Sequence, residues 1–182
     1  MIDLSLHAAI EAAAPDAIDG ISIGRRDDKS TWSIQFKADA TNEQKAAAVA
    51  ALSRFDPAAY ALSVAKSGRL AEVAAQLGQR NAAGFTFNDV TYQIDDASQA
   101  RITALAVLAQ TNNGADWPEG FGFIAADNSA QRFTAAGFVA FATAAAQTVI
   151  ARRLNARALK DRILAAADVD ALEAIDISAG WD

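Results

Sequence analysis

The stretch from Gly84 to Ile102, GFTFNDVTYQIDDASQARI, leaves the backbone few options. Phe85, Phe87, Val90, Tyr92 and Ile94 supply strand residues, and Asn88-Asp89 falls where a tight turn would. Asp96 and Ser98 then stand just ahead of a helix that reads ARITALAVLAQ, as N-terminal caps do. The segment therefore predicts a hairpin that runs directly into a capped helix.

The rest of the chain extends this pattern. Apolar residues at Ile2, Leu4, Leu6 and Ile10 predict a short helix, or a strand leading into one, closed by Pro15. Ile18–Ile23 and Thr31–Phe36 alternate around a charged loop and predict a second hairpin, with Trp32 mid-strand and in the core. Thr41 and Gln44 have the spacing of a capping box ahead of NEQKAAAVAALSRF, and Asp56-Pro57 closes that helix. Residues 58–83 form one alanine-rich helical stretch interrupted by Gly68 and Gly78, with Leu70, Val73, Ala74 and Leu77 along one side. Beyond the central helix, Asn112-Asn113-Gly114 gives a stop signal. A third hairpin is expected from Gly120–Ile124 and Gln131–Phe133, around the turn Asp127-Asn128-Ser129. Thr134 caps a long helix with Phe138, Phe141, Val149 and Ile150 on its apolar side, and Asp168 caps a last short one.

These elements predict an α+β, helix-rich protein made of two small units, each a β-hairpin packed on helices, joined by a long helix. The expected boundaries are 1–56 for an α-β-β-α unit, 57–83 for the connector and 84–182 for the second unit. Alanine accounts for 47 of the 182 residues. It favours helix but buries little area, so such helices gain from pairing with other chains.

Charge and composition narrow the chemistry. The net charge is −6, and the acidic surplus is spread along the chain, which argues against a basic arm for nucleic acid. No run approaches the roughly 18 apolar residues of a membrane span, so no membrane insertion is expected. Met1-Ile2-Asp3 opens acidic, unlike a signal peptide. There is no cysteine, which removes disulfides, thiolate metal sites and cysteine nucleophiles, and fits folding in a reducing cytoplasm.

Candidate sites are few. His7 is the only histidine and has no evident partner for a triad or a metal. Asp27-Asp28 reads as a solvated hairpin tip and Asp95-Asp96 as a helix cap, with Asp168 and Asp170 following the same logic. Gly120-Phe121-Gly122 lacks the third glycine and the following helix of a dinucleotide loop. No catalytic, cofactor-binding or metal residue is expected, although two of the 22 carboxylates could converge in space. Arg152, Arg153, Arg157, Lys160 and Arg162 read as a solvated basic face near a helix end, with Arg153 and Arg157 sharing one side. Trp181 either docks back into its domain or anchors a neighbouring chain. Trp181, Arg101, Arg153 and Arg157 are the candidates for a protein interface.

One resemblance adds to this. FTFNDVTYQIDDASQARI, Asp127-Asn128, NARALKDRI and the closing IDISAGW resemble a phage- and prophage-associated domain of unknown function. That domain occurs in tail-fibre, tail-fibre-assembly and neighbouring proteins. Its pattern is F-x-F-x-G-V-x-F, D-x-x-S-Q-A-R-I, an A-D-N turn, H-A-R-A-L-K and I-D-I-x-x-G-W-P. Asp89 stands at its turn glycine, Asn155 at its histidine and Asp182 at its last proline. The likeness covers about residues 80–182, and residues 1–56 look more loosely like leader segments of phage virion proteins. It implies a non-enzymatic structural protein of a phage tail, made in the host cytoplasm and carried in the virion, a homo-oligomer with other tail or fibre proteins as partners. A tail-fibre assembly chaperone is the alternative, and a small glycan hydrolase of the tail the second. The resemblance carries no catalytic residues.

Overall fold

The computed structural model describes residues 2–26 and 28–181. Asp27 of the expected hairpin tip and the terminal Asp182 lie outside the described residues. The chain divides into two compact units, 1–65 and 66–182. The fold is α+β and helix-rich.

The first unit holds α1 (Ile2–Ala13), the antiparallel strands β1 (Ile18–Ser22) and β2 (Ser33–Phe36), and α2 (Asn42–Arg54). The apolar start of the chain is helix throughout, and Leu6 and Ile10 are buried in the core with Ala14, Ala17, Ile18 and Ala48. Thr41 and Gln44 close the capping box as their spacing required. Trp32 is buried, but it precedes β2 as the C-cap of the short 3-10 turn Lys29–Thr31, and its Nε1 donates to the Arg25 carbonyl at 2.6 Å. The loop is tied down by Lys29, whose Nζ donates to the carbonyls of Ser53 (2.7 Å) and Phe55 (2.8 Å). A cation at the C-terminus of α2 satisfies carbonyls that the helix leaves without partners.

Helix α3 (Pro57–Ala82) runs unbroken through Gly68 and Gly78. A Cβ at either position would meet nothing, so neither glycine answers a packing demand. The division between the units falls inside α3, between Ala65 and Lys66.

The second unit continues from α3 into β3 (Phe85–Phe87), β4 (Val90–Tyr92), α4 (Asp96–Gln110), β5 (Gly122–Ile124), β6 (Ala130–Arg132), α5 (Ala135–Ala165) and α6 (Val169–Glu173). Its strands form two separate antiparallel hairpins, β3–β4 and β5–β6. In the first, Phe85 pairs with Tyr92 and Phe87 with Val90, across Asn88 (φ 49°) and Asp89 (φ 62°). Two consecutive left-handed residues make the turn whose twist matches a hairpin. Asp89 adopts there the conformation for which glycine is the commonest choice.

Aromatic rings fill the core. Phe138 and Phe141 are fully buried on α5. Tyr92 meets Phe141 edge-on at 4.6 Å, Trp117 lies 5.1 Å from Phe138, and Phe85, Phe123 and Phe133 close the cluster. The buried stripe of α5 then runs Ala145, Val149, Arg152, Ala156, Leu159, Ile163. Ile150, assigned from sequence to the apolar side, instead faces solvent, 56% exposed. By length and composition α5 is apolar enough to cross a membrane, contrary to the reading of the sequence by apolar runs. Its Phe138 and Phe141 are fully buried at the centre of the core.

Because the rings converge on Phe141, Phe141→Ala should remove more stability than any surface change. We expect a loss of about 3–5 kcal/mol in urea unfolding followed by near-ultraviolet circular dichroism.

Candidate functional site

The joint between β4 and α4 places most of the distinctive residues of this sequence. Asp95, rather than Asp96, is the N-cap: its Oδ1 accepts from the Ser98 amide at 2.8 Å, and Asp96 opens the first turn. The Gln99 side chain turns back to donate to the Ile94 carbonyl at 2.7 Å. Ile94, Ser98 and Ile102 are buried beneath the joint. The Ser98 amide is the main cause that holds the Asp95 carboxyl below its usual range. The carboxylate is thus ionised at neutral pH and engaged with orphan helix amides, which is cap chemistry rather than proton transfer.

The start of the hairpin is fixed from the opposite side. Gly84 has φ +82°, and a Cβ there would sit 2.2 Å from the Tyr92 carbonyl oxygen, so only glycine fits. The Gly84 carbonyl accepts from Nη2 of Arg152 at 3.0 Å, and Nη1 of the same guanidinium donates to the Arg80 carbonyl at 2.7 Å. Arg152 is only 8% exposed. It does not belong to the solvated basic face assigned from sequence. The heptad-like spacing 145, 149, 152, 156, 159, 163 was the available signal, because an arginine on a buried stripe must find acceptors.

The closing segment docks on α5 in the same manner. Asp176 Oδ1 accepts from the Ser178 amide (2.8 Å) and hydroxyl (2.7 Å). Asp127 and Ser129 repeat this arrangement at 2.9 and 2.6 Å, and Asp28 and Ser30 at 3.0 and 2.6 Å. The recurring Asp-x-Ser is thus a turn device in which a short side chain mimics backbone. Asn155 Nδ2 donates to the Ala179 carbonyl at 3.0 Å, and Gly180, at φ +78°, lies against the Asn155 side chain with no room for a Cβ. Trp181 is buried, its Nε1 donating to the Ile177 carbonyl at 2.8 Å. Of its two sequence alternatives, Trp181 takes docking within its own unit. From α3, Arg69 donates to the Ile175 carbonyl and pairs with Glu72 at 2.8 Å.

The remaining candidates are at the surface. Arg153 and Arg157 are exposed, and Arg157 forms an ion pair with Asp161 at 3.0 Å, one turn along the helix. Such exposed pairs contribute little. Arg101 lines a groove of about 400 Å³ between α4 and β5, together with Gln93, Ser98, Leu105 and Asn128. Sequence reasoning listed Arg101 but gave it no neighbours, because β5 lies about 20 residues away in the chain. A second, smaller groove of about 160 Å³ between α4 and α5 is lined by Ile102, Thr103, Ala142, Ala146 and Ile150. Among the described residues no three His, Asp or Glu side chains are grouped as metal ligands would be. Burial pushes the Tyr92 phenol up, and the nearby Asp127 charge adds to this.

Comparison with known families decides the classification. A family model described as a domain of unknown function, DUF4376, matches residues 64–179, well over half of the chain. The chain belongs to the DUF4376 family. No curated protein and no solved structure matches it. The DUF4376 match begins two residues before the second unit does, so the domain includes the second half of α3 with Arg69 and Arg80. Residues 1–63 lie outside it.

The depressed carboxyls of this DUF4376 domain give a pH signature. The Ser129 hydroxyl lowers Asp127 first and its amide next, and Asp176 is lowered by Ser178, with Arg162 and Arg69 adding. A carboxyl whose folded pKa lies below its unfolded value, about 3.9, stabilises the fold above that value. This contribution is lost as pH falls through the folded pKa. Melting temperature should therefore hold from neutral pH to about 5 and decline below about 4. The triple variant Asp95→Asn, Asp127→Asn, Asp176→Asn should start lower and fall less over the same range.

Proposed function

We propose that this protein acts without catalysis, through protein–protein assembly, as a structural protein of a phage tail: a fibre or tail-tip subunit or accessory. The tail assignment rests on the resemblance of residues 80–182 to domains of tail-fibre and tail-fibre-assembly proteins. The observation that carries the assembly reading is how the distinctive residues are used. Phe85, Tyr92, Ile94, Ile102, Leu159 and Trp181 are buried in the unit. Asp95, Asp127 and Asp176 are caps and turns.

Large apolar side chains meanwhile stay outside. Val107 is 62% exposed on α4, and Ile150 and Leu154 are 56% and 65% exposed one turn apart on α5. Ile150 borders the alanine-lined groove between those helices. Apolar surface of this kind favours burial against another chain, and small side chains let a partner approach closely. A second copy of this chain would bury the same residues twice about a symmetry axis, which favours a homo-oligomer within the assembly.

Protein analysis of purified phage particles tests this reading. The tail assignment expects the chain at a fixed copy number relative to the major tail protein, and expects Ile150→Glu with Leu154→Glu to fold yet fail to enter particles. Absence of the wild-type chain from particles would overturn the structural role and favour an assembly chaperone. Release of sugar from host envelope by the purified protein would favour a tail glycan hydrolase.

A further inference from the structure

The outward face of α5 changes character at its middle. No residue from Ala135 to Ala151 is charged, and every charge of the helix follows, from Arg152 to Arg162. Helix α4 widens the neutral half. It carries no charge from Ile102 to Gln110, and its Thr103 lines one groove with Ala142, Ala146 and Ile150 of α5. That groove takes in Gln99 at the start of α4, whereas Gly114, just past its end, abuts Ala135 at the start of α5. The two helices therefore run antiparallel. A solvated helix face is ordinarily charged, so an uncharged face two helices wide is one that burial against another chain would favour.

Four large apolar side chains stand on this surface. Ile150 and Leu154 are exposed one turn apart near the midpoint of α5. Val107 is exposed on α4, one turn beyond Thr103, and so lies beside the first half of α5. Leu164 is exposed near the other end of α5. It follows Ile150 by two heptads, which brings it within about 40° of Ile150 around the helix, on the side where α4 packs.

We propose that a second copy of this chain covers this face, with its α5 antiparallel to the first about a two-fold axis that passes between Ile150 and Leu154. The axis is near the middle of the helix, so the overlap takes in nearly all of it, about 40 Å. Contacts about such an axis are reciprocal. Ile150 meets Leu154 of the second copy, Gln147 meets Ala158, and the Thr143 hydroxyl meets the Asp161 carboxylate. Leu164 meets Val107 of the second copy, because both lie on the α4 side of α5 and at equal heights from the axis. All four large apolar side chains are then covered by one another. Charge sets the direction. Antiparallel pairing lays the charged half of each helix on the uncharged half of the other. Parallel pairing would bring Arg153, Arg157, Lys160 and Arg162 of the two copies together, with only Asp161 on each helix to offset them. The neutral face is also where two chains of net charge −6 approach with least repulsion. This pairing rests on the assembly reading, whose partner it names.

Because the chain has no cysteine, single cysteines report the pairing directly. Light scattering of the full chain should give twice the mass of one chain. An equal mixture of Gln147→Cys and Ala158→Cys should oxidise to the mixed disulfide, and neither variant alone should crosslink, since the bond needs Cα atoms within about 7 Å. Val107→Lys and Leu164→Glu should each raise the dissociation constant about tenfold or more, and the double variant should restore it. All four positions are exposed, so the circular dichroism spectrum should stay in place. A monomer would overturn the proposal, and its binding to phosphatidylcholine vesicles would assign the face to lipid instead. Crosslinking of either cysteine variant alone, or no restoration in the double variant, would overturn the antiparallel pairing. A monomer found in particles leaves the tail reading standing, and a dimer absent from them leaves this pairing standing.

Discussion

The guanidinium of Arg152 is the interaction on which the second unit depends. It leaves the buried face of α5 and donates to two carbonyls, one at the end of α3 and one at the start of the first hairpin. Burying a cation is costly unless acceptors meet it, and unmet carbonyls at a helix end are costly too. Bringing the two together offsets both penalties and sets the spacing of three elements at once. The aromatic cluster can then close over it, since Phe85 follows Gly84 directly and packs 5.5 Å from Phe141 on α5.

The other distinctive residues complete the same framework. Asp95 sets where α4 begins, Asn88 and Asp89 set the register of Phe85 against Tyr92, and Asn155 and Gly180 seat the closing turn on α5. The side chains of Asp95 and Asn155 are occupied in doing so. The surface that remains unassigned is of two kinds: apolar side chains on α4 and α5, and the polar groove between Arg101 and β5. The DUF4376 match, residues 64–179, takes in both surfaces and the framework as far as Ala179.

Most of the local structure was legible in the sequence. Caps at Thr41, Thr134 and Asp168 and the turns at Asn88-Asp89 and Asp127-Asn128-Ser129 follow from residues within four positions of one another, where chemistry and geometry are tightly linked. Long-range placement was less legible. Arg152 sits among Arg153, Arg157 and Arg162 in the chain, and composition alone reads all of them as one basic face. Only its phase on the buried stripe separates it. Ile150 misled in the opposite sense, since it neighbours Val149 but lies about 100° around the helix from it. Trp32 shows a third limit: its burial was read correctly, but the 3-10 turn that holds it ahead of β2 depends on Asp28 and Ser30. The groove at Arg101 was not legible at all, because its walls come from segments that meet only in the folded unit.

The central claim is that Arg152 is a structural tie rather than part of a basic surface. Native-state hydrogen exchange on the full chain, read at core amides of α4 and α5 in Arg152→Lys, tests it most directly. Lysine keeps the charge but cannot reach two carbonyls with one rigid fork. The account predicts that protection of those amides falls by about 2 kcal/mol or more, while amides of α1 and α2 are unchanged. Equal protection in both proteins would contradict it.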